Sequence, residues 1–291
     1  MATEGLTRFT FSQMHMGVAV RITLFATGRA VAENAGMQAF GRFAGLDRAL
    51  SDYLQTSELS KLVDGAGQGP VEVGSDLFDV LALSKDIAEE SDGAFDVTAA
   101  PVTVLWREAV GSGRLPASAD LAAASRLVGH DRMRLDPPTR SVRLELGTRI
   151  DLGGVGKGYA CDQTLAALRD NGIDRAMVQA GGDIAVSGPP PGAEGWSISV
   201  ERLHAPPFRL RDKALSTSGD AFQSLDVDGV RHSHVVDPRT GLAATHGVQS
   251  TVVGPSCAVT DALATLAGVD LIQAQKLARR YGAEVFVTSM E

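Results

Sequence analysis

A lysine set among glycines, Gly153-Gly154-Val155-Gly156-Lys157-Gly158, follows the run Ile150-Asp151-Leu152. Glycines let backbone N–H groups come close to an anion, and a helix start adds partial positive charge. The segment can cradle phosphate with Lys157 as counter-charge, or it can be a glycine-rich turn closing a strand. It is not a Walker loop, because Gly158 replaces the required Ser or Thr and Asp151 stands where that motif needs its first glycine. The dinucleotide GxGxxG pattern is absent as well. A second group lies in SCAVTDALATLAGVD, where Asp261 and Thr265 are four apart and share one helix face. Their hard oxygens suit Mg²⁺. Equally, an Asp near a helix start is favoured by the dipole, and a Thr can bond back to its own helix.

His232 and His234 alternate in HSHVVDPRTG, so on a strand they would face one side. Without a cysteine or acidic third ligand nearby they make a poor zinc site and suit structural or exposed positions. Asp183 in AGGDIAVSG and Asp220 in STSGD each follow a Gly/Ser turn that delivers a carboxylate near a strand end. Either fits a tight turn alone.

These residues need elements to hold them. Met16 to Ala26 is rich in branched residues and reads as a strand, followed by a helix from Arg29 to Leu50 and a loop over SDYLQTSELSKL. GAGQG at Gly65 to Gly69 reads as a turn, and Ser75 suits the N-cap of a helix through Glu90. A helix-like segment from Ser118 to Val128 precedes two short strands joined by a Pro-rich turn in RMRLDPPTRSVRLEL. Ile150 to Leu152 is predicted to close a strand, and Tyr159 to Leu168 to form a helix ended at Asn171-Gly172. Short alternating runs between Gly, Pro and Asp turns then predict mostly antiparallel sheet. Ser256 caps a helix to about Ala267, Leu271 to Arg280 gives another, and AEVFVTS is a final strand. With no clear linker or repeat, the pattern predicts one compact α+β unit.

Bulk properties narrow the function classes. The 291 residues carry a net charge of −8 without a dense Lys/Arg stripe, which argues against a nucleic-acid binder. Hydrophobic residues make up 44 %, enough for a sizeable core. Cys161 and Cys257 lie far apart and suggest small buried residues rather than a disulfide framework or zinc cluster. No stretch is long and apolar enough to span a bilayer, and the first residues lack a signal-peptide pattern. A cytoplasmic location is the expectation for the sequence as written, and a periplasmic one if an export signal preceded it.

Taken in order, several segments resemble one family, the FAD:protein FMN transferases of the ApbE family. They are Met16-Gly17, SELSKL at Ser57 to Leu62, GAFDVTAAPVTVLW at Gly93 to Trp106, IDLGGVGKGYACD at Ile150 to Asp162, QAGGDIAVSG at Gln179 to Gly188, STSGD at Ser216 to Asp220, HSHVVDPRTG at His232 to Gly241, and TDALAT at Thr260 to Thr265. Each is weak alone, and their shared order is specific. The resemblance implies one ApbE-like domain over residues 16–291 after an N-terminal segment, 1–15, with a flavin cleft. It implies FAD as substrate, with Mg²⁺ at the pyrophosphate held by a main-chain oxygen of Gly154 and by Asp261 and Thr265. It further implies that Met16, Tyr53, Ala94, Phe95, Asp96, Asp151, Lys157 and His234 contact FAD.

In the implied reaction a Thr or Ser hydroxyl of an acceptor flavoprotein attacks the FMN-side phosphorus, and AMP leaves. His234 is the candidate base, because histidine titrates near neutrality, and Asp220 is a helper to consider. Many relatives are exported lipoproteins with a signal peptide and lipobox cysteine, which this sequence lacks. The family's acceptor motif, resembling DGxTGAT, is also absent, so self-flavinylation is not suggested. An FAD pyrophosphatase giving FMN and AMP, and an FAD-binding protein without turnover, are the rival readings. A homodimer is compatible with these features, and no motif specifies one.

Overall fold

The computed structural model describes residues 5–219, 224–245 and 247–289, so Asp220 lies outside the described residues. Seven strands form the main sheet: β1 (Thr7–His15), β2 (Val18–Ala26), β3 (Ala176–Ala180), β4 (Asp183–Val186), β5 (Lys213–Gly219), β6 (Val248–Gly254) and β7 (Glu284–Ser289). Their order in the sheet is their order in the chain, and every neighbouring pair is antiparallel. The helices enter as two insertions. Between β2 and β3 come α1 (Arg29–Leu50), α2 (Glu58–Asp64), α3 (Ser75–Glu90), α4 (Ala100–Ser112), α5 (Ser118–Ser125) and α6 (Gly156–Asp170). Between β6 and β7 come α7 (Cys257–Ala267) and α8 (Leu271–Arg280). The α+β class with a mostly antiparallel sheet and flanking helices is therefore the observed one.

The period of two in each strand decides which side chains meet the helices. Val20, Ile22 and Leu24 of β2, Val178 of β3, Ala185 of β4 and Val252 of β6 pack into one core with Phe43, Leu46, Leu168 and Leu263. The alternate residues Ile184, Val186, Leu215 and Val253 face a second core roofed by the hairpin Trp196–Ile198 and Phe208–Leu210. Each such large side chain contributes about 1.5–3 kcal/mol when buried, so β4 is clamped from both sides. Asp183 and its register partner Ser216 take helix-facing positions in this pattern. There Ser216 Oγ bonds Thr260 Oγ1 of α7 at 2.9 Å.

Helices α6 and α7 cross closely because Gly158 has no side chain. A Cβ there would stand 2.3 Å from the Cys257 carbonyl oxygen and 2.8 Å from Asp261 Cβ. Asp162 locks the crossing by accepting Ser256 Oγ, Cys257 N–H and Ala258 N–H at 2.8, 2.9 and 3.0 Å, satisfying otherwise orphan groups at the α7 start. Cys161 and Cys257 are both buried and free, as their isolation in sequence suggested.

The structure corrects several local expectations. Residues 7–15 form an edge strand, and Met16-Gly17, read as strand, is the two-residue turn joining it to β2. Both turn residues have positive φ, 48° and 73°, the combination that matches the twist of paired strands. The loop expected through Leu62 contains α2, started by Ser57, whose side chain accepts the Ser60 N–H. Ser75 is the first residue of α3 rather than its cap. Gly74 holds that place, with its N–H donated to the Glu58 carboxylate. Residues 150–152 are not a strand: Asp151 N–H bonds the Val97 carbonyl at 2.7 Å, tying this stretch to a 3₁₀ turn, Val97–Ala99, instead of a ladder. The shared face expected for His232 and His234 also fails, because the strand Val230–Ser233 ends before His234. His232 stacks on Trp106 with ring centroids 5.3 Å apart.

Candidate active site

A cleft of about 490 Å³ opens where the helix-facing side of the sheet meets the α6–α7 crossing, a size usual for small-molecule sites. Met16, Tyr53, Ala94, Phe95, Asp96, Asp151, Gly154, Lys157, His234, Asp261 and Thr265 all line it. These residues arrive from four directions.

The inner end holds a charged cluster. Lys157, in the first turn of α6, donates to the Gly153 carbonyl at 2.8 Å. Its Nζ lies 3.3 Å from Asp183 Oδ2 and 3.6 Å from Asp261 Oδ2. Burial disfavours the ammonium, but Asp261 and then Asp183 outweigh it and hold the Lys157 pKa above its ordinary range. Asp261 carries the opposite strain. Burial first, then the Asp183 charge, push its carboxyl up to about 7, against the pull of Lys157 and of the Gly158 N–H donated at 3.0 Å. Two buried carboxylates thus share one ammonium. Thr265, one turn beyond Asp261, faces the glycine loop so closely that a Cβ on Gly154 would lie 2.8 Å from Thr265 Oγ1.

The floor is built from the α3–α4 connection. Asp92 and Gly93 both turn through positive φ, 55° and 74°, and the Ser91 hydroxyl accepts the Phe95 N–H at 3.1 Å, presenting Ala94 and Phe95 to the cleft. Asp96 caps the 3₁₀ turn, its Oδ1 accepting Thr98 N–H and Oγ1 at 2.8 and 2.7 Å. Its Oδ2 is 3.8 Å from His130 Nδ1. Burial raises its pKa despite those bonds. Asp151 is similarly committed: Gly153 N–H bonds Oδ1 at 2.8 Å, and Thr103 Oγ1 and Arg107 Nη2 both bond Oδ2 at 2.7 Å. Both aspartates thus hold the cleft wall together, Asp96 through Thr98 and Asp151 through Gly153, Thr103 and Arg107.

At the mouth, Met16 sits at the tip of the β1–β2 hairpin. Its N–H is held by Asp47 Oδ2 of α1 at 3.0 Å, which stabilises an uncommon left-handed backbone for a non-glycine residue. Tyr53 is 77 % exposed, and the Arg107 guanidinium lies 5.7 Å from its ring centroid. Arg107 also reaches Asp52 Oδ2 at 3.2 Å, so one arginine ties the Tyr53 loop to Asp151. On the far side His234 lies between the strand Val230–Ser233 and the turn from Asp237, where Gly241 N–H returns to the Asp237 carbonyl at 2.8 Å. Trp106 Nε1 fixes that turn through the Gly241 carbonyl at 3.0 Å.

Nothing local in the sequence marks Asp47, Asp52, Thr103 and Arg107, although Thr103 lies within the Gly93–Trp106 segment, because each acts through a partner tens of positions away. In sequence Asp183 reads as a turn residue near a strand end. Its alternation with the apolar Ile184 and Val186 was the available signal that it faces away from them. Among the described residues no group of three or more His, Cys, Asp or Glu side chains is gathered for a metal. A cation here would rest on mixed oxygen donors.

A FAD:protein FMN transferase of Vibrio cholerae is 30 % identical over 230 residues, covering 74 % of this chain and 67 % of that protein. The apo crystal structure of the Pseudomonas stutzeri flavinyl transferase ApbE superposes with a TM-score of 0.86 at 25 % identity, over 100 % of this chain and 94 % of that one. The ApbE protein of Thermotoga maritima gives 0.85 at 26 % identity, over 98 % and 97 %. The model of the ApbE family matches residues 16–287, which include the glycine loop, the floor, the histidine turn and α7, and so the chain belongs to the ApbE family.

Proposed function

We propose that this chain transfers the FMN moiety of FAD to a Thr or Ser hydroxyl of an acceptor protein and releases AMP, with Mg²⁺ at the pyrophosphate. The observation that carries the reading is the meeting, in one cleft, of the Lys157 ammonium, the oxygens of Gly154, Asp261 and Thr265, and His234, in a chain whose relatives bear the name FAD:protein FMN transferase.

The residues fit a hard divalent cation. Asp261 is buried and lines the cleft, its Oδ2 3.6 Å from Lys157 Nζ. The Gly154 backbone and the Thr265 hydroxyl lie against each other. Gly154 carbonyl, Asp261 carboxylate and Thr265 hydroxyl would hold Mg²⁺, which when bound would neutralise phosphate oxygens. The chain's own groups do the rest. Lys157 meets phosphate charge, and Phe95 and Met16 offer soft surface to rings. His234 takes the proton from the acceptor hydroxyl as its oxygen bonds the FMN phosphorus. The bond from that phosphorus to the bridging oxygen breaks, the electron pair leaves with AMP, and FMN remains as a phosphoester.

Incubating the protein with FAD and Mg²⁺, with and without a peptide carrying a DGxTGAT-like motif, tests this. The expected result is a peptide gaining the mass of FMN with an equal amount of AMP. Free FMN plus AMP with an unmodified peptide would replace the transferase by a pyrophosphatase, and unchanged FAD would sink both.

A further inference from the structure

We infer that Asp183 is a positioning residue that withholds Lys157 from Asp261 and so keeps the Asp261 carboxylate open to a divalent cation. The inference rests on the reading of Asp261 as a cation ligand given above.

An ammonium has three N–H groups to place. Lys157 gives one to the Gly153 carbonyl at 2.8 Å, and the remaining charge is divided between Asp183 Oδ2 at 3.3 Å and Asp261 Oδ2 at 3.6 Å. The two acids are not equivalent. Asp183 opens β4, paired on one side with Ala180 and on the other with Ser216, in a strand packed on both faces. Its carboxylate is 3 % exposed. Asp261 stands on a helix, and the same oxygen that approaches Lys157 also accepts the Gly158 N–H. A cation bound to that oxygen must compete with the ammonium. With Asp183 present, Lys157 has a nearer, fixed anion. With Asp183 neutral, Asp261 is the remaining carboxylate within 4 Å of Lys157 Nζ among the described ion pairs, and the two would close on each other.

Asp183 could also favour a cation simply by its negative charge. A double-mutant cycle read by Mg²⁺ and Mn²⁺ binding in calorimetry, on the full chain without FAD, separates the two effects. Asp183→Asn is expected to weaken cation binding by about tenfold or more, a change of ~1.4 kcal/mol. In a Lys157→Met background the same substitution should change it less than about threefold, because no ammonium remains to be displaced. Equal losses in both backgrounds would overturn the positioning role in favour of bare charge, and no loss in either would remove Asp183 from the account. If Asp183→Asn does not fold, as judged by circular dichroism, Lys157→Met alone decides: it should bind the cation at least as tightly as the unaltered chain, and weaker binding overturns the inference. A chain that binds neither cation sinks the cation reading of Asp261 and this inference together. Binding that is lost in Asp261→Ala but indifferent to Asp183→Asn sinks this inference alone.

Discussion

The two ends of the cleft are built on different principles. At the inner end, Lys157, Asp183 and Asp261 sit on α6, β4 and α7, and their backbones are fixed by a helix crossing that tolerates no side chain at Gly158. At the mouth, Asp52, Tyr53 and Arg107 form a partly exposed network, with Arg107 itself 38 % exposed and Tyr53 on a loop. The two inner carboxylates, 3 % and 7 % exposed, see little water and interact strongly with the lysine between them. Charges in water can rearrange and are screened. The inner end should therefore decide whether chemistry happens, and the mouth how well the ligand is held.

The sharpest break would come from Asp261→Ala, which is expected to lower FMN transfer by about 10²–10³-fold, the usual effect of losing one group that stabilises transition-state charge. Steady-state kinetics with FAD and the acceptor peptide measure it. A near-normal rate would show that the inner charges are structural. Next, Gly158→Ala should destabilise the fold by about 3 kcal/mol, since the new Cβ meets the Cys257 carbonyl and not a flexible side-chain end. Denaturant unfolding reads that loss, and an unchanged midpoint would mean that the helices can part cheaply.

The raised Asp261 pKa gives a pH-dependent test of strain at the inner end. In the folded chain free of cation the Asp261 carboxyl keeps its proton to higher pH than in the unfolded chain. Its stabilising contribution is complete below the usual carboxylate range near 4 and is lost as pH climbs to about 7. Asp261→Asn should accordingly stabilise the cation-free protein increasingly from pH 5 to pH 7 and by a constant amount above. The gain is on the order of 1–3 kcal/mol. Thermal melts of both proteins across that range check the trend, and a gain that shrinks toward pH 7 would contradict it. The smallest effect belongs to the mouth: Arg107→Ala should raise the KM for FAD about twofold to fivefold, with kcat little changed, as expected for loss of a partly exposed ionic tie. A larger fall in kcat than in binding would blur the distinction between the two ends.

Much of this architecture was legible one residue at a time. The limits of α1, α7 and α8 follow from apolar spacing and from the capping Ser256, which accepts the Val259 N–H. Strand β1 was not legible, because it is an edge strand with much of its surface exposed and few apolar residues to mark a face. Its place comes from nine register pairs with β2. The 150–152 stretch shows the converse: Ile150 and Leu152 are buried like strand residues, but the Asp151 N–H between them bonds a 3₁₀ turn.

The sequence by itself determined the fold class, because helical and strand periodicity are local properties that survive being read in one dimension, and the family through the resemblance of eight short motifs kept in order. Only the tertiary structure decided that Lys157 is shared between Asp183 and Asp261, that Asp96 and Asp151 spend their oxygens on groups of the cleft wall, and that His232 and His234 part company. Those outcomes depend on sheet register and on how closely two helices approach, and such distances join residues up to about a hundred positions apart that no local pattern relates.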